Sequence, residues 1–229
     1  MDKPSIGELW ETSKPRLLPS SNLSIEQFWE TAHKTEELLY LSGYPGLEIW
    51  ERLRVVDRVV PGAVVLNIGV GLGHCTRALA QRGCIVHALD ISREGLAKIS
   101  DIATTWHVDD LDRIPTDFFD LALSHLVWQH MQDDVLSTQM RAVFRSLKPD
   151  GLWASQFLVP CASGAPLRQY TDVDSMGGGV LRSDAAVSRL ANAAGGKAVE
   201  FFEYQTGPDW VWHVVHARKA DRPWWRRWL

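Results

Sequence analysis

Three alternating glycines and a later carboxylate have the spacing that points most directly to chemistry in this chain. Gly69, Gly71 and Gly73 follow the apolar run 63–68, and Asp90 lies about twenty residues further on, after a second apolar run. Glycine permits a tight turn and lets the backbone approach a ligand more closely than any Cβ would allow. Because ligands bind at the carboxyl ends of the strands in an open α/β sheet, the pattern predicts a cofactor site between the glycine turn and Asp90.

Two histidines, His125 and His130, are the candidates for proton transfer. They lie in the stretch Ser124-His-Leu-Val-Trp-Gln-His130, which begins where a predicted strand ends. The unperturbed pKa of histidine is near 6.5, so a neutral imidazole can remove a proton around neutral pH. The alternative is that either imidazole caps the following helix or fills a polar corner. His213 and His216 fall on a predicted edge strand and are expected to be structural.

The positions of these residues depend on strands that alternate with helices. Strands are predicted at 63–68, 84–89, 104–108, 118–125, 152–159, 199–204 and 210–217, and helices at 74–82, 135–147 and 184–195. Apolar, β-branched strands alternating with helices are typical of a parallel sheet covered on both faces. The order predicts an α/β fold: a Rossmann-like, seven-stranded, mostly parallel sheet with helices on both faces and an N-terminal helical extension.

The glycine spacing distinguishes two classes of cofactor. A dinucleotide fingerprint requires G-x-G-x-x-G, whereas this chain has G-x-G-x-G followed by His74. That spacing resembles motif I of the class I S-adenosylmethionine-dependent methyltransferases of small-molecule type, and 118–125 resembles their motif IV. The stretch 145–152, Arg-Ser-Leu-Lys-Pro-Asp-Gly-Leu, is similar to the R-x-L-K-P-G-G signature before their fifth strand. A nicotinamide-dependent oxidoreductase is the disfavoured alternative, since no Tyr-x-x-x-Lys pair is present.

The resemblance implies S-adenosylmethionine as cofactor and assigns its contacts residue by residue. Asp90 matches the ribose-binding acid, and a carboxylate after the third strand faces the exocyclic amine of adenine in this family. The implied contacts are Asn67, Gly69, Val70, Gly71, Gly73, Asp90, Ile91, Asp109, Asp110, Leu111, Ser124 and His125. The family usually has Asp or Glu in place of Asn67, where the carboxylate helps to hold the amino end of the cofactor. Asparagine keeps an acceptor but loses a charge attraction of about 1 kcal/mol or more.

The resemblance also implies the reaction. Methyl transfer from a sulfonium is an in-line displacement, so the main task of the protein is to position the reacting groups. A hydroxyl acceptor must also lose a proton, and His130 is preferred over His125 as the base because related small-molecule enzymes often have histidine there. The acceptor is expected to be a hydroxyl of a sugar, nucleotide-sugar or natural product. N-methylation of a small molecule and a non-catalytic S-adenosylmethionine-binding partner subunit are the alternatives.

Acceptor contacts are expected from the N-terminal helices and from the loop after the fifth predicted strand. The segment Ser24-Ile-Glu-Gln27 fits a capping box at the start of a helix reaching about Tyr40, and a second helix is predicted at about 47–60. The candidate acceptor contacts are Trp10, Tyr44, Trp128, Arg168 and Tyr170, with Trp29 and Arg182 as further candidates. For the N-terminal aromatic residues, packing within an added helical layer is the alternative role.

Composition limits the class of partner and the location. The formal charge of −4 over 229 residues offers no broad electrostatic attraction for nucleic acid, so a small-molecule acceptor is expected. The three cysteines lack metal-ligand spacing, and no apolar run is long enough to cross a membrane, which favours a metal-free cytoplasmic protein. The predicted divisions are a helical cap (1–60), the cofactor-binding domain (61–218) and a Trp/Arg-rich tail (219–229). The tail suits a membrane surface, a glycan or a partner groove, or packs on its own domain or on a homodimer mate.

Overall fold

The computed structural model describes residues 24–35, 46–160, 180–206 and 210–220. The helices are α1 (Ile25–Thr35), α2 (Gly46–Arg52), α3 (His74–Gln81), α4 (Arg93–Ala97), α5 (Asp133–Ser146) and α6 (Asp184–Ala193). The strands are β1 (Val64–Ile68), β2 (Ile85–Asp90), β3 (Thr104–His107), β4 (Phe119–Ser124), β5 (Leu147–Pro160), β6 (Gly196–Thr206) and β7 (Trp210–Lys219). Short 3₁₀ helices occupy Val56–Arg58, Val108–Arg113 and Trp128–His130. No helix in these ranges is long and apolar enough to cross a membrane.

The described strands form one seven-stranded sheet in the order β3-β2-β1-β4-β5-β7-β6. Strands β1 to β5 run parallel, and β7 is antiparallel to both of its neighbours. The chain progresses outward from β1 to β3 on one side and from β4 on the other. The strand order therefore reverses between β1 and β4, and the connections after these two strands leave a crevice at their carboxyl ends. The predicted fold class is confirmed.

Two hydrophobic clusters lie on opposite faces of the sheet. In β1, Leu66 belongs to the cluster that includes α5 and α6, whereas Val65 belongs to the cluster that includes α2 and α3. Successive side chains of a strand point to opposite faces, so a strand buried on both faces must be apolar throughout. The nearly uninterrupted apolar character of β1 follows from this position in the centre of the sheet.

The start of α1 agrees with its predicted capping box. The backbone N–H of Gln27 donates to the Ser24 hydroxyl at 3.2 Å, and the Ser24 N–H donates to Oε1 of Gln27 at 2.9 Å. These two bonds satisfy donors that a helix start otherwise leaves unpaired. The helix is described to Thr35, and the predicted continuation to Tyr40 lies outside the described residues.

Three local predictions are wrong. The helix predicted at 47–60 ends at Arg52, because Arg54 adopts a left-handed φ of 54° that no α-helix accommodates. The fifth strand begins at Leu147 rather than 152, and a register shift opposite Phe119 accommodates the additional residues. Strand β7, which carries His213 and His216, is not an edge strand, because β5 and β6 pair with it on either side.

Trp128 is a core residue, although the sequence also suggested it as an acceptor contact. Its side chain is 0% exposed, and its ring centroid lies 4.9 Å from that of Trp153 and 6.2 Å from that of Phe157. The structure therefore places this indole between the sheet and α5 rather than at a surface that a substrate can touch.

Replacing Trp128 with alanine is expected to lower the free energy of unfolding by about 3–5 kcal/mol, because it leaves a cavity in a packed aromatic cluster. Urea denaturation measures the change. Val135→Ala is the control, since that side chain is 49% exposed and its loss should cost under about 0.5 kcal/mol. A Trp128→Ala protein as stable as the wild type would contradict a core role.

Candidate functional site

The glycine turn after β1 is shaped so that only glycine fits at two of its positions. Gly69, Gly71 and Gly73 have φ angles of 78°, 51° and 83°, in the left-handed region that L side chains rarely adopt. A Cβ on Gly69 would overlap the side chain of Val127, and one on Gly73 would overlap Ile99. The turn therefore presents bare backbone at the carboxyl end of β1, as a cradle for a closely approaching ligand requires.

Asp90 connects this turn to the end of β2. One carboxylate oxygen accepts the backbone N–H of Val70 at 2.6 Å, and the other accepts the N–H of Ser92 at 2.8 Å. The side chain is 7% exposed. Burial raises the pKa of the Asp90 carboxyl, while the backbone N–H groups of Ser92, Val70 and Ile91, and a positive charge on His33 when it is present, oppose that rise. The predicted ribose acid thus lies within hydrogen-bonding distance of the glycine turn.

Asn67 lies beneath the same turn. Its side chain is 2% exposed, and its amide nitrogen donates to the hydroxyl of Thr76 in the first turn of α3 at 2.9 Å. The side chain is therefore already engaged with the helix that follows the glycines. Its amide oxygen provides the remaining hydrogen-bonding capacity of the group.

The carboxylates after β3 are on the side of the site formed by β2 and β3. Asp109 is 72% exposed at its side chain and pairs with Arg93 at 3.0 Å. Asp110 pairs with Arg113 at 2.7 Å. The backbone oxygens of Ile91 and Leu111 accept hydrogen bonds from His107 and Arg145, respectively, at 2.9 and 2.6 Å. These bonds hold both connecting segments in place.

The residues after β4 form the other side of the crevice. The hydroxyls of Ser124 and Ser155 lie 2.6 Å apart in the buried β4–β5 pair. Burial lowers the pKa of His125 to about 3, with a further contribution from Arg52. Burial also lowers the pKa of His130 to about 4. Both imidazoles are therefore neutral at physiological pH.

His130 contacts both its own 3₁₀ helix and the N-terminal helix α1. Its Nε2 lies 3.1 Å from the amide nitrogen of Gln129, and its Nδ1 is buried with no hydrogen-bond partner among the described residues. The ring of Trp29 in α1 is tilted over it, with 5.6 Å between the centroids. The N-terminal helix therefore reaches the residue that the sequence predicted as the base.

Glu30 attaches α1 to the turn after β2, and the sequence did not predict this contact. Its carboxylate accepts the hydroxyl of Ser92 at 3.0 Å and the backbone N–H groups of Arg93 and Glu94 at 2.8 and 3.1 Å. These are the first residues of α4, where unpaired N–H groups favour an anion. No spacing signal predicted this contact, because Glu30 and Ser92 are more than sixty residues apart.

Arg182 is structural rather than a candidate acceptor contact. Its guanidinium donates to Asp133 at 2.8 Å and to the backbone oxygens of Trp128 and Met131 at 3.2 and 2.5 Å. The side chain is 3% exposed. These bonds hold the turn that carries His130. A buried arginine is kept charged by such charge-assisted partners.

The remaining candidate acceptor contacts, Trp10, Tyr44, Arg168 and Tyr170, lie outside the described residues, as does the tail from 221 onward. Within the described ranges, no group of three or more His, Cys, Asp or Glu side chains is arranged to hold a metal ion.

A sequence profile for the family described as "Methyltransferase domain" matches residues 65–151. That range contains the glycine turn, Asp90 and both candidate histidines. Malonyl-[acyl-carrier protein] O-methyltransferase of Salmonella typhimurium is 36% identical over 112 residues, which are 47% of this chain and 43% of that enzyme. The chain thus spans less than half the length of this curated relative.

Solved structures share the fold. Phosphoethanolamine N-methyltransferase 2 of Haemonchus contortus, in complex with S-adenosyl-L-methionine, superimposes with a TM-score of 0.64 at 16% identity, covering 96% of this chain and 61% of that one. Human N-acetylserotonin methyltransferase superimposes with a TM-score of 0.60 at 16% identity, covering 93% of this chain and 60% of that one. The [4+2]-cyclase SpnF superimposes with a TM-score of 0.64 at 17% identity, covering 86% of this chain and 96% of that one. At these identities the likeness shows the fold alone, and a fold does not determine the reaction.

The resemblance to the methyltransferases rests on the domain profile and on the motifs together. The profile covers the segment in which the motifs were found, and the sheet and glycine turn have the form that those motifs predicted. Residues 65–151 therefore match a methyltransferase domain, and the motifs within them resemble those of the class I S-adenosylmethionine-dependent methyltransferases.

Proposed function

We propose that this chain transfers a methyl group from S-adenosylmethionine to a small-molecule acceptor, specifically to a hydroxyl of a sugar, nucleotide-sugar or natural product. The observation that carries the proposal is the bare glycine turn bonded to Asp90 at the point where the strand order reverses. The matching of the methyltransferase profile to this segment supports it. The O-methyltransferase named among the relatives favours an oxygen acceptor.

The residues present fit the cofactor. The backbone of the glycine turn would hold the methionine part, Asp90 the ribose, and Asp109 or Asp110 the adenine amine, with Leu111 beside the ring. When bound, S-adenosylmethionine supplies a methyl group on a positively charged sulfur that is an excellent leaving group. The protein contributes position, since bringing two reactants together in the right geometry removes a large part of the barrier.

His130 is proposed to remove the acceptor proton. Its burial keeps the ring neutral, and Nδ1 is the ring nitrogen left without a described partner. Gln129 selects the tautomer. When the Gln129 amide nitrogen donates to Nε2 of His130, the ring proton lies on Nδ1. When the amide rotates so that Oε1 faces Nε2, Nε2 carries the proton and donates it to Oε1, which leaves a lone pair on Nδ1. The second arrangement is the one that a general base needs.

N-methylation of a small molecule is the second candidate. The Trp29 ring beside His130 offers an aromatic face of the kind that binds amines in their cationic form. An amine that binds as a cation must first lose a proton, whereas one that binds in its neutral form needs no base before transfer and would make His130 dispensable for the chemical step. A cytoplasmic location, a homodimer and the absence of a nucleic-acid partner stay predictions from the sequence.

Cofactor binding is tested by titrating S-adenosylhomocysteine into the full chain by calorimetry, with NAD as the control ligand. We expect micromolar binding of the homocysteine product and no binding of NAD. Asp90→Asn should weaken binding by at least tenfold, because one acceptor oxygen becomes a donor. Asp101→Ala, which removes a carboxylate that is 67% exposed, should leave the affinity unchanged. A preference for NAD, or no binding of either ligand, would contradict the proposed methyltransferase function.

Asn67→Asp tests the departure from the family pattern. The Thr76 hydroxyl can rotate to donate to an aspartate, so the local hydrogen bond survives the change. We expect the affinity for S-adenosylhomocysteine to stay equal or rise by up to about fivefold, corresponding to roughly 1 kcal/mol. The unliganded variant should be less stable, because an unpaired buried charge is costly.

Thermal unfolding with and without S-adenosylhomocysteine measures both effects for the Asn67→Asp protein. Asn67→Leu is the control, since it removes both the donor and the acceptor. A folded Asn67→Asp protein with a much lower affinity would show that this side chain does not face the amino end of the cofactor.

His130→Gln should lower turnover of a hydroxyl acceptor by about 10²–10⁴-fold while the affinity for S-adenosylhomocysteine stays within twofold. It should also reduce the acid sensitivity of the fold. The pKa of His130 is about 4 in the folded state and 6.5 when unperturbed, so the unfolded chain takes up the proton first as the pH falls. The stability linked to His130 is present above pH 6.5 and is lost progressively toward pH 4.

Denaturant unfolding at pH 7 and pH 5 tests the linkage. Between these values His130 should account for about 2 kcal/mol of the loss of stability in the wild type, and the glutamine variant should lack that part. Unchanged turnover in His130→Gln with an acceptor amine would favour N-methylation. Unchanged turnover with an acceptor hydroxyl would exclude His130 as the base.

A further inference from the structure

His33 in α1 has a fixed tautomer with one free ring nitrogen. Its Nδ1 lies 2.7 Å from the backbone oxygen of Trp29, and the side chain is 2% exposed. A carbonyl oxygen only accepts, so Nδ1 carries the proton and the neutral ring has its lone pair on Nε2. That nitrogen is buried and has no hydrogen-bond partner among the described residues. A buried acceptor without a donor is uncommon and calls for an explanation.

The free nitrogen lies at the edge of the cofactor site. A Cβ built on Gly95 of α4 would lie 3.0 Å from both Nε2 and Cδ2 of His33, and 3.2 Å from Cγ2 of Val70. The imidazole and the side chain of Val70 therefore meet at the same point of α4. Val70 belongs to the glycine turn, and its N–H is the group that bonds to Asp90.

His33 and Asp90 are also close enough to interact electrostatically. A positive charge on His33 would lower the pKa of the Asp90 carboxyl, against the effect of burial. With His33 neutral, the site holds the Asp90 carboxylate and the Nε2 lone pair as two neighbouring acceptors. Two acceptors need two donors, and the two adjacent hydroxyls of a ribose supply them.

Contacts on both sides of His33 hold it in this position. The Lys98 ammonium donates to the backbone oxygen of His33 at 2.5 Å, and Glu30 bonds to the start of α4 one helical turn earlier. Lys34 and Glu94 form only an exposed pair at 3.9 Å, which contributes little to this attachment. Because α1 and α4 are attached at several points, the imidazole is pre-organised rather than free to turn away.

We propose that His33 Nε2 accepts a hydrogen bond from one ribose hydroxyl of the cofactor, so that His33 and Asp90 together hold the hydroxyl pair. The inference rests on the proposed function, since the ligand is the nucleoside part of S-adenosylmethionine. It extends the cofactor site to α1, which lies outside the segment matched by the methyltransferase profile. Packing of α1 against α4 and cofactor binding would then stabilise each other.

The test is calorimetric titration of the full chain with S-adenosylhomocysteine and with its 2′-deoxy and 3′-deoxy analogues. His33→Phe keeps the ring volume and its packing beside Trp29 but removes both nitrogens. Lys34→Ala, one residue further along the same helix, is the matched control. We expect His33→Phe to bind S-adenosylhomocysteine about tenfold more weakly, the size of one buried hydrogen bond, and Lys34→Ala to bind it normally.

The analogues separate a ribose contact from a structural effect. The wild type should lose affinity for the analogue that lacks the contacted hydroxyl, and His33→Phe should show no further loss with that analogue. An equal loss of affinity for all three ligands in His33→Phe, or wild-type affinity for S-adenosylhomocysteine, overturns the assignment. If the wild type and Lys34→Ala bind S-adenosylhomocysteine normally, such a result leaves the proposed function intact. A wild-type protein that binds none of the three ligands contradicts both the ribose contact and the proposed function.

Nitrogen NMR of the wild type provides a measurement that does not depend on the variant folding. The unliganded protein should show His33 protonated at Nδ1 with an unprotonated Nε2. Saturation with S-adenosylhomocysteine should shift the Nε2 resonance in the direction of an accepted hydrogen bond. An unchanged Nε2 resonance at saturation contradicts the contact.

Discussion

The two hydrogen bonds of the Asp90 carboxylate are the constraint on which the rest of the site depends. They connect the backbone of the glycine turn after β1 to the backbone that starts α4 after β2. Neighbouring parallel strands present their carboxyl ends side by side, but the loops that follow are free to diverge. One buried carboxylate keeps these two loops together, so the bare glycine backbone and the acid act as a single surface.

The N-terminal helix is built onto this same junction. Glu30 satisfies the amide groups at the start of α4, and His33 packs against Gly95, where no side chain stands in the way. On its other side α1 brings Trp29 to His130. The helix therefore contacts both the β2 side and the β4 side of the crevice. A change in the position of α1 must alter the surroundings of the cofactor site and of His130 together.

Burial gives the site its electrostatic character. His125 and His130 both have pKa values far below the ordinary range because an imidazolium cannot be solvated where they lie. Arg182 remains charged nearby only because Asp133 and two carbonyl groups surround its guanidinium. Among the described residues, the crevice thus combines neutral imidazoles with one buried carboxylate, that of Asp90. Such a site favours a ligand that carries positive charge and hydroxyl donors, as S-adenosylmethionine does.

The sequence by itself determined the sheet, the glycine turn and the ligand-binding edge. Those features depend on residues close together in the chain: apolar runs, glycines with left-handed φ angles, and an acid at a strand end. The capping box of α1 was predictable for the same reason, because Ser24 and Gln27 are three residues apart. Each signal is local, and local backbone preference was enough to interpret it.

Only the tertiary structure decided which side chains meet. Glu30 reaches Ser92, His33 reaches Gly95, and Trp29 reaches His130 across sixty or more residues. Trp128 looked like an acceptor contact in sequence but packs into the core, because the short 3₁₀ helix directs it toward the sheet. The place of β7 within the sheet was likewise set by pairing between distant strands. Contacts of this kind depend on how helices and strands pack in three dimensions, and residue spacing carries no record of that packing.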